Sequence, residues 1–134
     1  MKRNFGILLS VTAGVLLAAM PLLAHHAISA EFDTNKPIKF TGTVKSVDWM
    51  NPHIYVNIET QENGKSVVYS VEGGPPNSLF RQGWRKDSLK PGDTVQVSGV
   101  RAKKVDSNRI GTAQITMPDG RVFARGNGAG AEQQ

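Results

Sequence analysis

The chain of 134 residues has no cysteine. That excludes disulfides, thiolate metal centres and cysteine nucleophiles. Aromatics are few, with two Trp, two Tyr and five Phe, so each of them matters to a core or a binding surface. Histidine is scarcer still: His25, His26 and His53 are the whole set. No apolar run reaches the ~20 residues of a membrane-crossing helix. There is no Gly-x-Ser-x-Gly, no His-Glu-x-x-His and no Gly-x-x-x-x-Gly-Lys-Ser/Thr phosphate loop: Gly64-Lys65-Ser66 occurs, but position 59 is Glu. A catalytic reading therefore has little support, and a non-enzymatic protein is expected.

What is present begins with a secretory pattern. Lys2 and Arg3 precede an uncharged apolar stretch from Gly6 to Met20, and Pro21-Leu22-Leu23-Ala24 ends on a small residue. Residues 1–24 are expected to be a signal peptide, with His25 as the first mature residue and the periplasm as destination. The leader takes two basic residues and no acid, so the net charge falls from +5 to +3. A charge that mild does not call for nucleic acid, and no stable membrane span is expected after processing. The basic residues Arg81, Arg85, Lys86, Lys90, Arg101, Lys103 and Lys104 read as a solvated surface.

The rest divides into an N-terminal arm (25–37), a β domain (38–124) and a glycine-rich tail (125–134) expected to be disordered. Asp33-Thr34-Asn35-Lys36-Pro37 reads as a turn. Ile38 to Trp49 alternates, then changes parity: Ile38, Phe40, Gly42 and Val44 share one face, whereas Val47 and Trp49 form the next apolar pair. A bulge or bend explains such a change, and Gly42 is the natural place for it. Asn51-Pro52 breaks the chain. From His53 to Thr60, Ile54, Val56 and Ile58 fall on one face and His53, Tyr55 and Asn57 on the other, the mark of a half-buried strand. Asn63-Gly64 predicts a hairpin, returning through Ser66 to Glu72.

Glu72-Gly73-Gly74-Pro75-Pro76 ends that strand. A short helix is predicted over 77–82, stopped by Gly83, with Trp84 folding back on the domain and Asp87-Ser88-Leu89 forming a further helical turn. Lys90-Pro91-Gly92-Asp93 is a turn. Strands follow at 94–101 and 109–117, then Pro118-Asp119-Gly120 and a short strand at 121–123. Three strands, a helix and two strands predict an all-β fold, a small five-stranded Greek-key barrel of the OB type with one short helix between strands three and four.

Taken together, His25-His26-Ala27, Asn51-Pro52-His53, Glu72-Gly73-Gly74-Pro75-Pro76, Gly83-Trp84, Lys90-Pro91-Gly92-Asp93 and Arg101-Ala102-Lys103 resemble a family of small exported bacterial proteins of unknown function. The resemblance spans roughly residues 25–124 and implies a Gram-negative, periplasmic setting. Gly92-Asp93-x-Val95-x-Val97-x-Gly99 also looks like exported bacterial OB-fold proteins. Neither implies an activity.

Two site hypotheses follow. The first is a binding module for an unidentified small ligand or periplasmic protein. Tyr55, on the polar face of its strand, leads the ligand-binding candidates; Asn51 and Trp49 join it, with core packing the competing role for Trp49 and for Trp84. The second is a copper site. A free amine and ring at His25, with His26 or His53, give a nitrogen set suited to Cu(II), and Asn51 stands near enough in sequence to orient the ring of His53. Glu72 is expected to form a structural ion pair with Arg81 or Arg85.

Overall fold

A computed structural model describes residues 29–123. The signal peptide expected at residues 1–24, His25 and His26, Ala124 and the tail expected at 125–134 lie outside the described residues. The domain is built from β1 (Phe32–Asp48), β2 (Tyr55–Glu62), β3 (Lys65–Glu72), the six-residue helix α1 (Pro76–Arg81), β4 (Thr94–Ala102), β5 (Arg109–Thr116) and the two-residue β6 (Val122–Phe123).

The strands pair in the order β3-β2-β1-β4-β5-β6, and β3 also pairs with β5, so five of them close into a ring. Every pairing is antiparallel except that closing one, where Ser70 faces Arg109 and Val71 faces Ile110. This is the expected all-β fold, with the helix between β3 and β4. Closure leaves an inside that the alternating apolar residues fill. Val44, Ile54, Val56, Ile58, Val71, Val95, Val97, Ile110 and Ile115 are all buried there, each worth about 1.5–3 kcal/mol of transfer free energy. The ends are plugged by aromatics. Phe123 is fully buried, and Trp84 meets it edge-on at 4.6 Å between ring centroids.

β1 is the strand that both sides of the ring share. Its N-terminal half pairs with β4 and its C-terminal half with β2. The parity change read in the sequence is real, but the bulge sits at Lys45 rather than Gly42: Val44 faces Ile58 and Ser46 faces Asn57. One extra residue turns Ser46 and Asp48 outward while keeping Val47 against the core. Gly42 serves a different need. A Cβ there would stand 2.5 Å from the carbonyl oxygen of Glu59 and 2.6 Å from the side chain of Ile58, so only glycine lets β1 cross β2 this closely.

Other boundaries shift for local reasons. β1 begins at Phe32, ahead of the arm boundary at 37, because Phe32 pairs with Ala102 and its ring fills the space a Cβ on Gly111 would occupy. The turn expected at 33–37 is instead a bulge within β1: residues 33–36 shift the register between Phe32 and Pro37, Pro37 pairs with Val100, and the amide of Asn35 donates to Asp33 Oδ1 at 3.0 Å. His53 precedes β2 instead of opening it. The helix starts at Pro76, whose missing N–H costs nothing at a first position, and Gly83 ends it with φ of 90°. Asp87-Ser88-Leu89 is a bend closed by the Ser88 amide on the Arg85 carbonyl, not a helical turn; Leu89 is what it delivers to the core. The hairpin turn has φ of 51° at Asn63 and 77° at Gly64, both in the left-handed region that Asn and Gly tolerate.

At one end of the ring Tyr69 is buried beneath Phe40, with centroids 5.1 Å apart. Its hydroxyl donates to Glu62 and accepts from Arg101 Nη1 at 2.7 Å, while Arg101 Nη2 donates to Glu62 Oε1 at 2.6 Å. The hydrogen bond from Tyr69, then that from Arg101, holds the Glu62 carboxyl below its ordinary value of 4.5. Burial, with the bond to Glu62 adding to it, pushes the Tyr69 phenol above 10.0. A lowered carboxyl stabilises the fold above its unfolded value and loses that contribution as pH falls through the folded one. A raised phenol contributes fully below 10.0 and loses it as pH climbs through the folded value. Thermal midpoints should therefore hold between these limits and fall on both sides. Tyr69→Phe should lower the plateau by about 1 kcal/mol and flatten both limbs relative to the parent. A variant whose midpoints run parallel to the parent at every pH would separate Tyr69 from this behaviour.

Candidate functional site

The second carboxylate cluster lies at the opposite end of the β2–β3 hairpin. Because the two-residue turn pairs Glu62 with Lys65, the register runs back to Tyr55 opposite Glu72. The ladder then continues past the strand ends. The Gly73 amide donates to the Ile54 carbonyl at 2.9 Å and the Ile54 amide to the Gly74 carbonyl at 3.3 Å. This pins His53 next to Glu72. His53 Nδ1 donates to Glu72 Oε1 at 2.6 Å.

The other oxygen of Glu72 is taken as well. Arg109 Nη2 donates to Glu72 Oε2 at 2.9 Å and to the hydroxyl of Tyr55 at 3.2 Å. The guanidinium also stands 5.4 Å from the Tyr55 ring and 5.8 Å from that of Phe32, within cation–π range of both. Arg109 reaches this place because the parallel pair brings the start of β5 beside Ser70. The side chain of Glu72 is 17% exposed and that of His53 37%. The carboxylate is thus the recessed centre of the cluster and the imidazole its rim. In the neutral ring, a proton on Nδ1 leaves the lone pair on Nε2, which makes no hydrogen bond among the described residues.

Beside this cluster on the same outer face, Asn57 Nδ2 donates to Ser46 Oγ at 2.9 Å and to Asp48 Oδ2 at 3.0 Å. The bulge at Lys45 is what turns those two acceptors outward. Around Asn57 the outer face of β1 and β2 is therefore polar and its hydrogen bonds are directed.

Of the residues singled out in the sequence, His53 and Tyr55 come together through Glu72 and Arg109. Asn51 is exposed, and its side chain makes no hydrogen bond to the imidazole; Glu72 orients that ring instead. Trp49 is half-buried, packs against the core and lies 6.5 Å from the Phe123 ring. Glu72 does not pair with Arg81 or Arg85: Arg85 Nη1 donates to the carbonyls of Phe80 and Trp84, and its guanidinium stacks 3.8 Å from the Phe80 ring. Among the described residues no three His, Cys, Asp or Glu side chains gather as a metal site, and no helix is long and apolar enough to cross a membrane.

The fold and this face define a class: a small closed β domain with an oriented histidine at the rim of its sheet. The chain belongs to a family of unknown function, DUF6152, whose model matches residues 13–113. No curated protein and no solved structure matches it.

Proposed function

We propose that the protein is an exported, non-enzymatic binding module acting in the periplasm, with its ligand surface on the outer face of the β2–β3 hairpin around His53 and Tyr55. The observation that supports this reading is the arrangement at the rim. Both oxygens of a recessed carboxylate hold a histidine and an arginine in place, yet the histidine's second nitrogen makes no bond to a described residue. Pre-set polar groups of this kind bind with little ordering cost. The expected ligand is a small molecule or a periplasmic protein surface that hydrogen-bonds the imidazole.

The test is an NMR titration of the 15N-labelled mature protein with size-fractionated periplasmic extract. Shifts should centre on His53, Tyr55, Asn57, Ser70 and Glu72. Tyr55→Ala should weaken binding while the thermal midpoint changes little. Shifts confined to other strands would place the ligand surface elsewhere, and a large loss of stability in Tyr55→Ala would make that residue part of the core.

A second reading, copper binding, rests on one further feature. A carboxylate behind Nδ1 is the arrangement that fixes metal-ligating histidines, with Nε2 directed at the ion. Here Glu72 supplies it, and His25 and His26 would complete a nitrogen set for Cu(II). Mass spectrometry of the exported protein should find His25 at the N-terminus. Cu(II) titration should then give an affinity that His53→Ala lowers about 10- to 100-fold. An unchanged affinity removes His53 from any such site.

A further inference from the structure

Away from His53, the outer surface carries a depression of about 570 Å³ where β4, β1 and β2 meet. Its origin is the way β1 changes partners. Pairing with β2 ends at Thr43 opposite Glu59, whereas pairing with β4 continues past Gly42 to Pro37. Beyond Thr43 the ladder between the two strands stops, although they stay close at Gly42, and the hydroxyl of Thr60 donates to the Thr41 carbonyl at 2.8 Å in place of a ladder bond. The mouth of the gap is lined by Phe40, Thr41, Thr43, Glu59, Gln61 and Thr94.

The chemistry of that lining narrows the ligand. No cation lines the depression, and the neighbouring Lys45 is engaged by Glu59 at 3.1 Å, so an anion finds no partner there. Phe40 is the one large apolar group, too little for a lipid chain. What remains is a set of hydroxyls, a carboxamide that both donates and accepts, and a carboxylate with acceptor capacity on both oxygens. Ser66 and Lys45 hold that carboxyl below its ordinary range, so it stays an acceptor. The volume falls within that of small-ligand clefts. Adjacent donors and acceptors beside one ring edge match a ligand with many neighbouring hydroxyls and an apolar C–H face.

We infer that this depression is a second binding surface, taking an uncharged saccharide chain, with Gln61 and Glu59 addressing vicinal hydroxyls and Thr41, Thr43 and Thr94 flanking them. The test is NMR titration of the 15N-labelled protein with maltohexaose and chitohexaose, alongside a sulfated oligosaccharide of similar length. At least one neutral sugar should shift Thr41, Thr43, Glu59, Gln61 and Thr94, with Kd on the order of millimolar. Gln61→Ala, an exposed change outside the core, should weaken it about tenfold, a loss of about 1.4 kcal/mol. His53→Ala should leave it unchanged, which keeps this surface distinct from the rim. The inference falls if neither neutral sugar moves these residues, if the sulfated sugar binds here more tightly, if the shifts appear at His53 and Tyr55, or if Gln61→Ala binds as well as the parent.

Discussion

Phe123→Ala should reduce the free energy of unfolding by about 3–5 kcal/mol, the usual cost of emptying a fully buried aromatic site. In a domain of this size each kcal/mol moves the thermal midpoint by roughly 4–8 °C. The effect is large because Phe123 is shared. It is fully buried, meets Trp84 edge-on and lies within ring-contact range of Trp49. Its strand, β6, is held by only two residue pairs, Ile115 with Phe123 and Thr116 with Val122. Packing, rather than ladder bonds, therefore keeps that end in place. Urea unfolding followed by tryptophan emission checks this, since both tryptophans report on the same ring. A loss below about 1 kcal/mol would mean the end closes without Phe123.

The second large effect is expected at Glu72. Glu72→Ala removes the acceptor from both His53 and Arg109 and leaves a guanidinium over a partly buried surface. A loss of about 2–3 kcal/mol follows, above that of an exposed ion pair because the carboxylate is largely recessed. A double-mutant cycle with Arg109→Met isolates the pair, and a coupling of about 1 kcal/mol or more is expected for groups in one network. Additive losses would show that Glu72 and Arg109 stabilise the fold independently. The readout that a purely structural role would not move is the His53 ring signal, which should broaden in Glu72→Ala as the ring loses its fixed orientation.

Most of the fold was legible in the sequence because its signals are local. Asn63-Gly64 set the hairpin and, with it, the register that places Tyr55 opposite Glu72. Alternation at Ile54, Val56 and Ile58 named the inside, Gly83 marked the end of the helix, and Pro91-Gly92 marked the turn into β4. The partner of His53 was readable from the same hairpin arithmetic, extended past the strand ends to Gly73 and Gly74. Arg109 was not. It arrives through the closing pair of β3 with β5, 37 positions along the chain from Glu72, and no local pattern specifies that pairing. Asn51 was the nearer polar neighbour in sequence, but the break at Pro52 leaves it exposed. The position of the bulge was ambiguous for a related reason: parity reveals that an extra residue exists, not which one it is, and Gly42 proved to be needed for close crossing.

The β3–β5 closure has a consequence for how the rim would respond to an occupant. Only Ser70–Arg109 and Val71–Ile110 join there, with the Ser70 amide donating to Asn108 at 2.9 Å as reinforcement. Two residue pairs make this the shortest seam in the ring, and the His53–Glu72–Arg109 bridge spans it from one strand to the other. Whatever settles on the imidazole therefore also fastens the join. Amide exchange at Val71 and Ile110 should slow on loading before any other strand responds, so the protein would carry, in the tightness of one seam, a record of whether it is occupied.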